Sequence, residues 1–299
     1  GAGTTPYSRG ADGRAVLRSS IREYLCSIAM EGLTIPTTQA LAIVASDTDV
    51  YREHVESGAI VTRVAKSHIR FGHFELFASR GQTAEVKKLA DFVIDHYYPQ
   101  LKGKDSYLQL FKTVIHSTAV MIARWQAQGF AHGVMNSDNM SILGLTIDYG
   151  PFSFMETYDP AFICNHSDTQ GRYSFERQPS VALWNLQRLA HALESLIQED
   201  QLKEALSSYE KILVKEYSYL MRSKFGLILQ DEGDNALINN FLELLYTQKK
   251  DYHRSLRMLL NQNENLLGEK FESWFKDYKK RINNLERNRN HQRKVFELT

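Results

Sequence analysis

From Ser180 onward, apolar residues recur almost without interruption at three- and four-residue steps. The run goes Val181, Leu183, Leu186, Leu189 and Leu193, then Leu202, Leu206, Tyr209, Leu213, Tyr217 and Leu220, then Leu237, Phe241, Leu244 and Leu245. That period gives each of a series of helices one apolar stripe, and such stripes are buried by packing on one another. A helical region over 181–299 is therefore expected, and strand patterns are confined to the residues before it.

Those earlier residues mix both periods. "GAGTTPYSRGADGRA" is rich in glycine and turn formers and reads as loop. A helix is expected over 14–30, with Val16, Leu17, Ile21, Leu25 and Ile28 on its apolar stripe and Ser20, Glu23 and Ser27 on another face. "ALAIVAS", "AIVTRVA" and "IRFGHFELFA" read as strands, and 82–98 and 105–129 as helices. With 299 residues, 43% of them hydrophobic, the chain can fill one large or two modest cores. The expected division is 1–80, 81–180 and 181–299, in the α+β class.

Between the helix at 105–129 and the helical region lies "AHGVMNSDNMSILGLTIDYG", residues 131–150. His132 and Asn139 are seven apart, and Asp148 follows nine later inside "IDYG". This is the layout of a loop ligand and a strand-end acid that together hold a divalent metal on nucleotide phosphates, as in kinase catalytic loops. Mg²⁺ asks for hard oxygens and takes only one or two from protein, which Asn139 and Asp148 supply. The segment "SILGLTIDYG" is expected to form a strand pair that returns Asp148 towards Asn139. Where kinase-like loops carry a catalytic Asp, two residues after the His, this chain has Val134. Asp138 is then the acid left in the loop to accept a hydroxyl proton, from a changed direction. By spacing alone, a polar turn followed by a strand end explains the same letters equally well.

A second group points to phosphate. Arg63 and Arg70 fall on adjacent expected strands, Asp12 and Gly13 in the glycine-rich loop, and Glu23 in the first helix. Guanidinium groups bind phosphate in a fork that Lys cannot reproduce.

Four strings, "GAGTTPYSRGADGRAVLRSSIREYL", "TRVAKSHIRFGHFE", "AHGVMNSDNMSILGLTIDYGPFSFM" and "ICNHSDTQGRYSFERQPSVALWNLQRLA", closely resemble the SelO family, also called YdiU or selenoprotein O. The resemblance covers about the first two-thirds of the chain. It implies a protein-kinase-like (pseudokinase) fold, with 1–80 as a partial N-lobe, 81–180 as a C-lobe and a mostly helical C-terminal part. It also implies transfer of AMP from ATP to Ser, Thr or Tyr hydroxyls of proteins, with ATP flipped so that its α-phosphate faces the acceptor. Carried over by position, Asp138 matches the proton acceptor, and Asn139 and Asp148 match ligands of Mg²⁺ or Mn²⁺. Asp12, Gly13, Arg63, Arg70 and Asp148 match nucleotide contacts. Glu23 matches an acid paired with a lysine that in the family stands just before the position of Gly1. With that lysine and the family's C-terminal Cys or selenocysteine outside the sequence, the chain reads as an excised fragment with weak or absent catalysis.

Other readings are narrower. A Mn²⁺-dependent transfer of UMP from UTP would use the same phosphate site; a γ-phosphotransferase or a noncatalytic pseudokinase module would share the fold. Cys164, His166 and Asp168 lack the further ligands of a zinc site and read as a structural or substrate-side loop. Cys26 reads as a small buried hydrophobe, "DEGD" at 231–234 as a solvated turn, and Trp125, Trp184 and Trp274 as core. The polar end "KRINNLERNRNHQRKVFELT" reads as a solvated helix or tail. A formal charge of +1 gives no field for nucleic acid or an anionic membrane, and no run of about 18 or more apolar residues could span one. Two cysteines are too few for a disulfide scaffold. With no targeting segment in view the compartment is expected to be the cytoplasm, or the mitochondrion for a eukaryotic member.

Overall fold

The structure, a computed structural model, describes residues 3–6, 8, 10–260 and 267–283. Its N-terminal part is a three-stranded antiparallel sheet with a helix against it. Strand β1 (Ala15–Val16) leads into α1 (Leu17–Gly32), and β2 (Gln39–Tyr51) and β3 (Val55–Val64) form a hairpin in the order β1-β3-β2. Val44 stands opposite Ile60, and irregularities at Ala40/Ala42 and Ser46/Asp49 interrupt the register. Helices α2 (Phe71–Ser79), α3 (Thr83–Tyr97) and α4 (Ser106–Ala127) follow, then the short pair β4 (Phe130–Ala131) and β5 (Ser153–Phe154). The rest is helical: α5 (Gln178–Ala192), α6 (Glu199–Leu206), α7 (Ser208–Lys224), α8 (Asp234–Thr247), α9 (Tyr252–Leu260) and α10 (272–283).

Helix α4 is the axis of the larger core. Leu110, Phe111, Val114, Ile115, Ile122 and Trp125 are all buried, against α5, α6 and α7. Each large apolar side chain sequestered in this way contributes about 1.5–3 kcal/mol. A second cluster joins Phe225, Phe241, Leu245, Tyr252, Phe271 and Trp274. The apolar periods over 82–98, 105–129 and from Ser180 thus mark real helices, because each has one face to bury. Among the described residues no helix is long and apolar enough to cross a membrane.

Several expectations are corrected. "IRFGHFELFA" is not a strand. Phe71 and Phe74 are fully buried at a three-residue step, and this one-sided demand folds the segment into α2, so Arg70 sits at a helix N-terminus and not on a strand beside Arg63. "SILGLTIDYG" is not a strand pair. Its two halves pair outward: Phe71 N–H bonds Met140 C=O (2.9 Å) and Ile142 N–H bonds Ile69 C=O (3.0 Å), while Thr146 N–H bonds Pro36 C=O (2.8 Å). With backbone groups satisfied by other segments, the halves have no need of each other.

Helix α1 is rotated from the expected face. Ser20, Cys26, Ser27 and Met30 are buried, whereas Ile21, Leu25 (61% exposed) and Ile28 face outward. "DEGD" is not wholly solvated, since Asp234 is buried and paired with Arg281 of α10 (Oδ1 to Nε, 2.7 Å). Trp125 and Trp274 are core as expected, but Trp184 is 42% exposed. Of the polar end expected over 280–299 to be a solvated helix or tail, residues 280–283 belong to α10, where Arg281 is not solvated but paired with Asp234. Residues 284–299 lie outside the described residues, as does Gly1.

Candidate functional site

The loop 132–148 is held from beneath by polar residues of α5. The side-chain oxygen of Gln178 accepts the His132 N–H (2.9 Å) while its Nε2 donates to Phe130 C=O (2.8 Å). One turn pair further, Asn185 Nδ2 donates to Met135 C=O (2.8 Å). Both residues are fully buried, so their bonds to the loop operate without competition from water. The sequence held a signal for them: two amides seven apart on the apolar stripe of α5 are out of place unless they have partners.

His132 ties the two halves of the cassette together. Its ring stacks on Trp125 (5.2 Å between centroids), and its Nε2 lies 2.8 Å from Ile147 C=O. A carbonyl can only accept, so Nε2 carries the proton and Nδ1 is left to accept the Val134 N–H at 3.4 Å. Burial pushes the His132 pKa down, which keeps the ring neutral and this arrangement intact. Asn139 is buried and donates from Nδ2 to Val134 C=O (2.9 Å), which leaves its side-chain oxygen as the ligand-competent atom. Asp148, next to the anchored Ile147, is exposed and sits in the left-handed backbone region at φ 60°. Asp tolerates that region better than most residues, and strain of this kind recurs at functional positions.

Beyond Asp148 the chain is fastened to the sheet side. Tyr149 is buried, its hydroxyl bonded to Thr37 Oγ1, and burial raises its phenol well above the ordinary range. From α1, Arg22 donates to Phe152 C=O (2.8 Å) and lies 4.5 Å over the Phe152 ring. Glu23, the next residue, faces Arg63 of β3 at 3.6 Å. Arg63 also donates from Nη2 to Thr38 C=O and lies 5.4 Å from the Tyr149 ring centroid. Its Nη1 is buried and has no hydrogen-bond partner among the described residues. Burial raises the pKa of Glu23, with Arg63 opposing and the nearby Asp148 adding to the rise; burial likewise lowers Arg63. Glu23 and Arg63 thus share a partly desolvated corner, with the exposed Asp148 near Glu23. The family resemblance implied a lysine opposite Glu23; among the described residues its partner is Arg63.

A second cluster surrounds Asp138. Arg70 Nη1 donates to Asp138 C=O at 2.7 Å, and His73 Nδ1 accepts the Arg70 backbone N–H at 3.0 Å. A Cβ on Gly72 would stand 2.2 Å from Asp138 Oδ1, so only glycine lets α2 approach this carboxylate so closely. Asp138 is exposed and opens onto a cleft of about 920 Å³ that Arg70, His73, Glu75 and Arg188 also line. Another cleft, of about 1050 Å³, is lined by Ile35, Thr37, Lys66, Tyr98 and Leu145, and includes none of the expected site residues.

Asp12 and Gly13 stand apart from both clusters in their bonding. The Asp12 carboxylate forms a fork with Arg52 (2.8 and 3.0 Å) and accepts the Arg14 N–H (3.0 Å), which hold its pKa well below the ordinary carboxylate range. Gly13, at φ 65°, accepts the Gly3 N–H (3.2 Å). Asp168 accepts the N–H groups of Arg172 and Tyr173 and so fastens the loop that was expected to be structural or substrate-side. Among the described residues no three His, Cys, Asp or Glu side chains gather into a metal cage. One amide oxygen and one carboxylate nevertheless suit an ion of the Mg²⁺ type, which completes its shell with phosphate and water.

The family described as "Protein adenylyltransferase SelO" matches residues 1–297. The chain belongs to the SelO family. Its relatives include proteins named "Protein nucleotidyltransferase YdiU" from two strains of Klebsiella pneumoniae, each 54% identical, and from an Enterobacter species, 53% identical. In each comparison the match covers 94% of this SelO chain and 61% of the relative, so the chain spans less than two-thirds of the length of these curated relatives.

Proposed function

We propose that this SelO chain carries the nucleotide-transfer centre of a protein adenylyltransferase on a protein-kinase-like scaffold. The observation that supports it most directly is the Nη1 of Arg63, buried and without a hydrogen-bond partner among the described residues, in a side chain that faces Glu23, itself close to Asp148. A desolvated donor without a partner costs about 1–3 kcal/mol, and a nucleotide phosphate would satisfy it. Arg70, at the N-terminus of α2, supplies a second guanidinium next to Asp138. The names of the relatives agree with group transfer from a nucleotide.

In this reading Arg63 and Arg70 hold the phosphates with the α-phosphorus towards Asp138. The Asp138 carboxylate takes the proton of an acceptor Ser, Thr or Tyr hydroxyl. The hydroxyl oxygen bonds the α-phosphorus, the bond from that phosphorus to its bridging oxygen breaks, and pyrophosphate leaves. Asn139 and Asp148 would hold Mg²⁺ or Mn²⁺, which neutralises phosphate charge when bound. His132, Gln178 and Asn185 hold the loop that presents these groups. Val134 then needs no carboxylate, because the base acts from Asp138 on the α-phosphorus.

The test uses ATP labelled at either the α- or γ-phosphate, with a mixture of acceptor proteins. Label should stay on protein only from the α position, and be lost in Asp138→Ala and Asp148→Ala. Retention of γ-label would overturn the reading in favour of phosphoryl transfer. "Nucleotidyltransferase" leaves the base open, so UTP with Mn²⁺ is run beside ATP with Mg²⁺ to decide between AMP and UMP.

A further inference from the structure

One face of α5 is polar where the rest of the helix is core. Arg177 at its N-terminus, Trp184 and Arg188 are all exposed, and their seven- and four-residue spacing places them along one side. Arg172, in the preceding loop and also exposed, brings its guanidinium to 4.9 Å from the Trp184 ring centroid; Arg188 lies 5.9 Å from the same ring on its other neighbour. The indole thus has two guanidiniums close to its ring while staying exposed, and it forms part of a shallow cleft of about 600 Å³ with Arg172, Arg177 and Ser180.

The charges on this face are unequal. Arg188 is paired with Glu75 of α2 at 2.8 Å. Arg177 reaches only the Gly171 carbonyl, at 3.4 Å, and neither it nor Arg172 makes an ion pair with a carboxylate among the described residues. Asp168, the acid nearest in the loop, is turned to the backbone N–H groups of Arg172 and Tyr173. Glu176, next to Arg177 in the chain, is exposed and makes no ion pair among the described residues. The chain as a whole is nearly neutral, so this is a local cationic surface. Arg188 also lines the cleft onto which Asp138 opens, and its guanidinium lies 5.9 Å from the Trp184 ring that lines the other cleft, so one residue of each cleft stands beside the other. The track runs from the carboxylate proposed as base to a pair of guanidiniums that have no ion-pair partner among the described residues.

We infer that this track, Arg188, Trp184, Arg172 and Arg177, docks the protein acceptor through an acidic segment flanking the hydroxyl that is modified. The inference rests on the proposed role of Asp138 and adds the chemical class of the acceptor. Carboxylates of Asp or Glu match the forks of Arg172 and Arg177. The Trp184 face supplies apolar contact for the intervening peptide, the combination of aromatic and arginine that concentrates binding energy at protein interfaces.

The test is direct binding of fluorescein-labelled peptides to the chain, followed by anisotropy. One peptide carries a Ser followed by four Asp and Glu residues; its control carries Asn and Gln in their place. The acidic peptide should bind about tenfold more tightly at low salt, an advantage that falls as salt rises. Arg172→Glu with Arg177→Glu should remove the preference, and Arg172→Lys with Arg177→Lys should keep most of it. Circular dichroism of each variant checks folding. Equal affinity for the two peptides, or a preference unchanged by charge reversal, would overturn the inference. Tighter, reversal-sensitive binding of a single-stranded oligonucleotide or of phosphatidylserine vesicles would overturn it too. Because the readout needs no catalysis, a chain that transfers no AMP but keeps the reversal-sensitive preference supports the docking surface and counts against the transfer reading alone.

Discussion

The guanidinium of Arg63 stands 3.6 Å from the carboxylate of Glu23, across the gap between β3 and α1, with both side chains largely sequestered. For Glu23 the loss of water outweighs the attraction of Arg63, so its pKa is raised. A carboxylate whose folded pKa is raised contributes stability that is full below its unfolded pKa, near 4.3, and is lost as pH rises through the folded value. Wild type should therefore lose stability relative to Glu23→Gln as pH rises from about 4 towards neutrality. Urea midpoints of both proteins across that range measure it, and a gap that does not change with pH contradicts the assignment. The same variant should bind nucleotide less well, so stability and function move in opposite directions.

Gly72→Ala probes the approach of α2 to the loop. The added methyl would overlap Asp138 Oδ1, which sits at the end of a short, rotatable side chain on the surface. The carboxylate should be displaced from its place beside α2. We expect a thermal midpoint within a few degrees of wild type and a kcat for transfer reduced on the order of 10²-fold or more, as for loss of a general base. Unaltered kcat would remove Asp138 from that role.

His132→Ala should be among the costliest single changes in the loop. It leaves the Ile147 carbonyl without its donor and opens a void beside Trp125. A lost buried hydrogen bond combined with an aromatic-sized cavity amounts to about 3–5 kcal/mol, readable from denaturant titration. A cost below about 1 kcal/mol would mean the ring does not couple the two halves of the cassette.

Neither cysteine should react in the native state. Burial pushes the Cys26 thiol up to about 12 and the Cys164 thiol up to about 11, so almost no thiolate exists near pH 8. Iodoacetamide should label both only after denaturation, with mass spectrometry reporting the sites. Rapid native labelling of Cys164 would show that its loop opens, releasing the contact of its thiol with Ala131 C=O.

The helices were legible because each needs only one buried stripe, and a local period reports it. α3 and α4 lie within a few residues of the spans the pattern predicts, and the cassette was visible as letters at fixed spacing. The failures share a cause. The segment after Ile69 has strand-forming residues, yet two phenylalanines needed on one side folded it as α2. The halves of "SILGLTIDYG" found backbone partners at 36–38 and 69–71, a choice that depends on segments distant in sequence.

What the sequence determined by itself was element type over most of the chain and membership of the SelO family, since periodicity and motif are local properties. The tertiary structure alone decided orientation and partnership. It turned Ser20 and Glu23 of α1 inward and Leu25 outward, gave Glu23 to Arg63 and Asp12 to Arg52, and set Gln178 and Asn185 beneath the loop. Those outcomes rest on hydrogen bonds and ion pairs between residues far apart in the chain, whose energies exist only once packing has excluded water from them.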